Sequence, residues 1–309
     1  RQGEPQPRTT MTPRNHNALS TTSDPAVGST AWLGSPTRIL SLGAGVQSST
    51  LALMAATGDT EYRLDAAIFA DTQAEPDDVY RWLDWLESEI KKLAYPFPVL
   101  RVTKGSLTEA SLRVRTSKQT GLNYLKHSIP AYMKRANGAG GIMGRACTLD
   151  FKIIPVQQAA KKIAKVKRGQ KTATAEIWIG ISRDEAHRMK PSREPWAVHV
   201  WPLIDAGMNR KDCLAWMESR GYPKPPRSSC AYCPYHSDKE WLRLKSDEPE
   251  AFAAAVAYET RLQASVSQIC RLDGVPYLHP SRVPLASVDF NPTSTPSLFG
   301  NECEGMCGV

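Results

Sequence analysis

The sequence predicts an α/β fold, a doubly wound parallel sheet covered by helices. Three observations predict it. Short apolar runs alternate with helix-length segments over residues 38–102, the order that a parallel sheet with crossover helices produces. A glycine-rich turn, Gly43-Ala44-Gly45, joins the first apolar run to the first helical one. Hydrophobic residues make up 41% of the 309-residue chain and charged ones 23%, which is enough apolar material for a sizeable core.

The elements follow in order. Arg38 to Leu42 is a short apolar run suited to a buried strand. Ser48 to Thr57 reads as a helix that stops at Gly58, and Ala66 to Ala70 as a second buried strand. Asp77 to Leu93 is amphipathic, with Val79, Trp82, Leu83, Leu86, Ile90 and Leu93 at helical spacing. Phe97 to Val102 is a third strand. Residues 104–146 are less regular, and glycine-rich Asn137 to Gly141 is expected to be a mobile lid. Asp150 to Arg168 reads as a helix entered near Pro155, and Ile177 to Ile181 and Val198 to Trp201 as strands. Asn209 can cap a helix to Arg220, closed by Gly221. Pro249 to Arg271 is a long helix.

Outside these elements the composition changes. Residues 1–36 are rich in Pro, Ser, Thr and Arg and are expected to be disordered, because they cannot bury enough surface to offset ordering entropy. The first residue is Arg1, not Met, so the start is expected to be processed, truncated or a cloning remnant. The folded domain is placed at 37–272, and 273–309 is read as a flexible, cysteine-containing tail. No apolar run approaches the ~20 residues that span a bilayer, so no membrane partner is expected. Seven cysteines without a secretory leader favour a reducing cytoplasm. The formal charge of +8 favours anionic partners.

Two motifs carry chemistry. A turn between a buried strand and a helix places backbone N–H groups where anions bind. Gly43 and Gly45 let backbone approach a phosphate, and Ser48 and Ser49 add hydroxyl donors. The alternative is a plain strand-to-helix turn. Cys230-Ala231-Tyr232-Cys233 can hold a metal from one turn, with Cys147 arriving from a distant helix start. Iron–sulfur clusters take four thiolates, and zinc takes Cys or His, for which His236 would complete the set. Ligand chemistry alone leaves cluster, zinc and unliganded cysteine open. Cys213 and Cys270 sit in amphipathic helices and read as core residues. Arg183, Arg188, Lys190 and Arg193 follow a strand end, where open α/β sheets bind phosphate or sulfate. Lys161, Lys162, Lys165, Lys167, Arg168 and Lys171 crowd a helix end, as a solvated face or a nucleic-acid path.

The loop resembles the PP-loop of N-type ATP pyrophosphatases, whose Ser-Gly-Gly-x-Asp-Ser falls on Gly43-Ala44-Gly45-Val46-Gln47-Ser48, with Gln47 in place of the acid. Ser41-Leu42-Gly43-Ala44 is similar to the Ser-Phe-Gly-Ala of sulfonucleotide (PAPS/APS) reductases. Further segments resemble that family in order. They are Phe69-Ala70-Asp71-Thr72, Cys147 through Lys152 to Pro155 with Ala146 for the first of two cysteines, Gly180 through Arg183 and Glu185 to Arg188, and Trp201-Pro202-Leu203-Ile204-Asp205.

The resemblance implies an adenine nucleotide α-hydrolase fold and an adenine nucleotide, ATP or adenylyl sulfate (APS) or its 3′-phosphate (PAPS), held by Ser41, Gly43, Ala44, Gly45, Val46, Gln47, Ser48, Ser49, Arg183 and Arg188, with Mg2+ as an accompanying ion. It implies a [4Fe–4S] cluster, or zinc, on Cys147, Cys230 and Cys233. It implies Asp71 as a catalytic-site residue, and a nucleophilic tail thiol at Cys303 or Cys307, since Glu302-Cys303 and Cys307-Gly308 each echo half of the family's Glu-Cys-Gly tail. Ala146 cannot coordinate, so resemblance to cluster-dependent tRNA thiolases implies an open iron and sulfur insertion. The expected activity is ATP-dependent adenylation of an acceptor followed by sulfur transfer. The alternatives are APS/PAPS reduction to sulfite, and a nucleic-acid-binding protein with structural zinc. The acceptor is tRNA, DNA or a small metabolite, with a sulfur donor or thioredoxin-like reductant as a further partner.

Overall fold

The first crossover unit comprises β1 (Thr37–Leu42), α1 (Val46–Thr57), β2 (Ala66–Asp71), α2 (Asp77–Ile90) and β3 (Val99–Thr103). The structure is a computed structural model that describes residues 35–269 and 272–291. Next come α3 (Leu107–Leu112) and two hairpins, β4 (Val114–Thr116) with β5 (Asn123–Leu125) and β6 (Tyr132–Lys134) with β7 (Gly140–Ile142). A π-helical turn, Leu149–Ile153, runs into α4 (Ile154–Ile163), followed by β8 (Ala175–Ile179), a 3-10 turn (Arg183–Arg188) and β9 (Ala197–Val200). The described chain continues through α5 (Pro202–Asp205), α6 (Arg210–Ser219), α7 (Asp238–Asp247), α8 (Pro249–Val266) and β10 (Val275–Tyr277).

Five strands form one parallel sheet in the order β3-β2-β1-β8-β9. Its side chains alternate between two cores, as the strand period requires. Leu40, Leu42, Phe69 and Trp178 pack with α1, α2 and α6, whereas Ile39, Ile68, Ile177 and Ile179 pack with Val156 and Ala160 of α4. Helices on both faces make the sheet doubly wound. The chain order reverses between β1 and β8, so a crevice opens at their carboxyl ends, where such sheets bind ligands.

α1 is covered on every side, every residue but Thr57 being buried, with apolar Leu51–Ala56 following a polar first turn at Gln47–Thr50. Gly58 ends it with φ of 86°, and its neighbour Asp59 donates back to Met54 O at 2.8 Å, closing the C-terminus in a left-handed cap. α2 stops at Ile90, three residues short of the sequence reading, because Lys91–Leu93 form a turn. The helix expected over 150–168 begins one residue earlier as a π-turn and stops at Ile163. Pro155 lacks the N–H that an α-helical ladder would use, and the wider π-turn precedes it. Asn209 caps α6 as expected, accepting from Lys211 N and Asp212 N while Asp212 returns a bond to Asn209 N.

A third core gathers α3, the β6–β7 hairpin, α7 and α8. The expected lid at Asn137–Gly141 is instead the turn and first residues of that hairpin, paired to Lys134 and Met133. Residues from 275, read as the start of a flexible tail, pair through β10 with β6. The buried Glu259 carboxylate of α8 accepts Leu278 N at 2.8 Å and Leu285 N at 2.7 Å, and Leu278, Leu285 and Phe290 are buried beside it. A buried acid with two backbone donors in one strap ties that strap to the helix. Among the described residues no helix is long and apolar enough to cross a membrane.

Candidate functional site

Gly45, Gln47 and Ser48 of the turn line the switch-point crevice together with Gly180, Arg210, Pro226, Arg227 and Ser228. The strained residue is Ala44, with φ of 59°; an alanine there carries a conformational cost that a glycine would not. Gly45 is the N-cap of α1 and supplies no side chain to it, so the first N–H groups of the helix have neither an intrahelical partner nor a side-chain cap. Ser48 organises the turn: its Oγ accepts Gly43 N at 3.2 Å and donates to Gly45 O. Gly180 leaves the room for this. A Cβ there would lie 2.8 Å from Ser48 N.

Ser49 is turned away from the crevice. It is fully buried and its Oγ accepts the Trp82 indole N–H at 2.9 Å. Ser41 also faces elsewhere, into an apolar cleft of about 370 Å3 beside Val156, Ala160, Trp196 and His199. Burial lowers the pKa of His199 there, so its ring is held neutral.

Gln47, where the PP-loop pattern has an acid, is a buried bridge. Its Nε2 donates to Ser182 Oγ at 3.3 Å and Glu185 Oε2 at 3.2 Å, and its Oε1 accepts Arg210 Nη1 at 2.9 Å. Asp184 Oδ1 accepts both Ser182 Oγ and Arg210 N. Arg188 pairs with Glu185 at 2.7 Å, so it braces the turn behind Gln47, while Arg183 and His187 are exposed. The cations that line the crevice are Arg210 and Arg227, neither found in the sequence reading. Arg210 follows the Asn209 cap, and Arg227 stands three residues before Cys230; each adjoins a motif that was recognised, which is the signal that could have found them.

The cysteine loop meets the glycine turn directly. Ser228 Oγ donates to Gly43 O, and Ala231 N donates to Ala74 O at 2.8 Å. Cys230 Sγ lies 3.5 Å from Thr72 Oγ1 and 3.8 Å from Glu75 Oε1. Glu75 Oε1 also accepts from Thr72 and pairs with Lys152 at 3.6 Å, and the Glu75 side chain is 1% exposed. Its other oxygen, Oε2, is buried without a hydrogen-bond partner. Lys152 is the lysine of the Cys147–Pro155 segment, so this ion pair carries the β2 end, the π-turn and the cysteine loop together. Asp71 stands apart from the crevice lining, with Oδ1 accepting Gln73 N and the Tyr80 hydroxyl, each at 2.8 Å.

Cys147 and Cys230 are half-buried and Cys233 is buried. Tyr232 stacks on Tyr258 at 3.8 Å between ring centroids. Burial raises the Tyr258 phenol, with Cys147 and Cys230 adding to the effect, and both cysteines pack against the core that holds this ring. Cys233 acts likewise on Tyr132. Among the described residues no three His, Cys, Asp or Glu side chains are gathered as metal ligands would be. Cys147 and Cys230 pack against the same core, and Cys233 closes the turn that Cys230 opens, its N–H donating to Cys230 O at 2.9 Å. His236 Nε2 faces Cys230 O at 3.0 Å, and burial, then Arg227, hold its pKa well below the usual value. Cys213 is buried as expected, its thiol pushed up to about 12 by desolvation. Cys270, Cys303 and Cys307 lie outside the described residues.

No protein-family model matches the chain, and no curated protein matches it. The family resemblance therefore rests on the motifs alone.

Proposed function

We propose that this protein is a nucleotide-dependent enzyme of the PP-loop type, which binds an adenine nucleotide at the α1 N-terminus and uses it to activate an acceptor for attack by sulfur. One observation carries the reading. The anion-binding turn and the cysteine loop, 185 residues apart in sequence, are joined by the Ser228–Gly43 hydrogen bond and line one crevice at the switch point of the sheet. A phosphate in that crevice would meet the free N–H groups of α1 and the Arg210 and Arg227 guanidinium groups, which suit phosphate oxygens. The adjoining Cys230 thiol sits between Thr72 and Glu75.

The chemistry follows from leaving groups. A hydroxyl or carbonyl oxygen leaves poorly, and adenylation turns it into AMP, which leaves well. The acceptor oxygen attacks the α-phosphorus, the bond to the β-phosphate breaks, and pyrophosphate departs. Positively charged donors on the departing phosphates stabilise the charge that develops. A sulfur nucleophile then displaces AMP. A [4Fe–4S] cluster or zinc on Cys147, Cys230 and Cys233 belongs to this proposal, and would supply a thiophilic metal beside the nucleotide.

Titration of the full chain with ATP, APS and PAPS tests the reading, followed by assays for pyrophosphate and sulfite. Binding of ATP with pyrophosphate release supports adenylation. Tight binding of APS or PAPS with sulfite formation replaces it by reduction. Binding of none of the three refutes both. Iron, sulfide and zinc analysis of anaerobically purified protein tests the metal separately.

A further inference from the structure

The charge of this chain is concentrated in one segment of its sequence. Residues 110–149 hold seven of the 39 Lys and Arg residues and none of the 31 Asp and Glu, so the rest of the chain is close to neutral and this segment carries nearly all of the net +8. At the chain's average composition a stretch of that length would hold about four acids. The segment contains both small hairpins, β4–β5 and β6–β7.

Its cations are displayed rather than spent. Arg113, Lys118, Lys126, Lys134 and Arg135 are all exposed, and among the described residues none of the five enters an ion pair. Cations that stabilise a fold are usually paired or lie along a helix C-terminus; Arg113 stands at the C-terminus of α3, and the other four do neither. They stand on a fixed frame, because Leu112, Ile129, Met133 and Met143 of the same segment are buried in the third core. Tyr124 is 41% exposed on β5, opposite Arg115, which gives an exposed ring on a strand paired with a cationic one. The segment then runs into the thiol region: Ala146 N donates to Ser128 O at 2.9 Å, one residue before Cys147.

We propose that the hairpin segment 113–135 docks a single-stranded or looped nucleic acid, and that the acceptor of the sulfur transfer belongs to that strand. A regular row of phosphates matches unpaired cations on a rigid surface, and an exposed tyrosine among them offers a stacking platform for an unpaired base. The chemical half of this inference rests on the function proposed above; the docking half does not.

Fluorescence anisotropy of the full chain with labelled 20-nucleotide single-stranded RNA and DNA, and with the matching duplexes, across 50–300 mM KCl, tests it. Single strands should bind with a steep salt dependence. The triple variant Lys118→Gln, Lys126→Gln, Lys134→Gln should lose about a hundredfold in affinity at 0.1 M salt, and its log–log salt slope should fall by about 2, the loss expected for three phosphate contacts. Tyr124→Ala should weaken single-strand binding about tenfold with the slope unchanged. Lys165→Gln, Lys167→Gln, Lys171→Gln makes the same charge change beyond α4, on residues that are also exposed, and should retain affinity. The RNA and DNA arms tell which strand is held. ATP affinity should be equal in both triple variants, so failure of the nucleotide site is read separately. Absence of single-strand binding, tighter binding of duplex, or equal losses in the two triple variants would each overturn the proposal. Thermal melts should show both variants folded, since every substituted side chain is exposed.

Discussion

Replacing Gly180 by alanine should disturb the switch-point crevice more than its one added methyl suggests. The new Cβ would sit 2.8 Å from Ser48 N, 2.9 Å from Ser48 Cα and 3.1 Å from Ser48 Cβ. Carbon contacts favour about 3.5–4.0 Å, so either β8 or the first turn of α1 must move by roughly 0.5–1 Å. Both are in the interior, and overpacking of this kind costs about 1–3 kcal/mol. For a domain of this size the melting temperature should drop by about 2–4 °C per kcal/mol. The displaced atoms include an N–H that would donate to phosphate, and one charge-assisted bond is worth about 1.5–3 kcal/mol, which is about a 10- to 150-fold loss in ATP affinity. Gly45→Ala is the control for packing, read in the melt alone because Gly45 itself lines the crevice. Its Cβ would meet only Ser228 Cβ, at 3.5 Å, and its φ of −91° suits any residue. Calorimetric titration of Gly180→Ala and a thermal melt of both variants decide the matter. If Gly180→Ala bound ATP and melted like the wild type, the argument that this glycine clears the crevice would be refuted.

Three other outcomes are expected. Ser49→Ala leaves the Trp82 indole N–H buried without its acceptor, so urea unfolding should show a loss of about 1–3 kcal/mol with ATP affinity unchanged; weakened binding at full stability would place Ser49 in the site instead. Lys152→Ala strands the buried Glu75 carboxylate and should cost about 3–5 kcal/mol, whereas an unchanged urea midpoint would show that the pair contributes little. Asp78 has its pKa raised to about 6, by burial first and then by Glu248, against the pull of Arg243. The folded state therefore holds this proton more tightly than the unfolded state, so its contribution to stability is present at low pH and is lost as pH rises from about 4 to about 6. Asp78→Asn should flatten that part of the stability profile, and an unaltered profile would count against the shift.

The parallel sheet was legible because buried strands and amphipathic helices leave period and composition in the chain. Leu40, Leu42 and Ile68 sit where the apolar runs put them, and the Asn209 cap could be read from side-chain chemistry alone. The hairpins of 113–142 were not legible, since strands of three residues are too short to show alternation. The order of residues 275–291 was hidden for another reason. It depends on Glu259, whose two acceptor bonds reach chain 19 and 26 residues away, and no local pattern records that.

The site divides in the same way. The turn at Gly43–Ser48 and the cysteine loop could be seen separately, but their contact through Ser228 could not. Ser48 and Ser49 look alike in sequence, yet one organises the turn and the other serves Trp82. Neighbouring positions on a helix point about 100° apart, and only the packing of α2 shows which serine faces inward.

Hydrogen–deuterium exchange of the full chain with and without ATP tests the central claim most directly. The account predicts slowed exchange on adding ATP at residues 43–49 and, in the same experiment, at 226–231, because the two segments line one crevice. Protection at the turn alone, or no protection at either segment, would contradict a single nucleotide site shared with the cysteine loop.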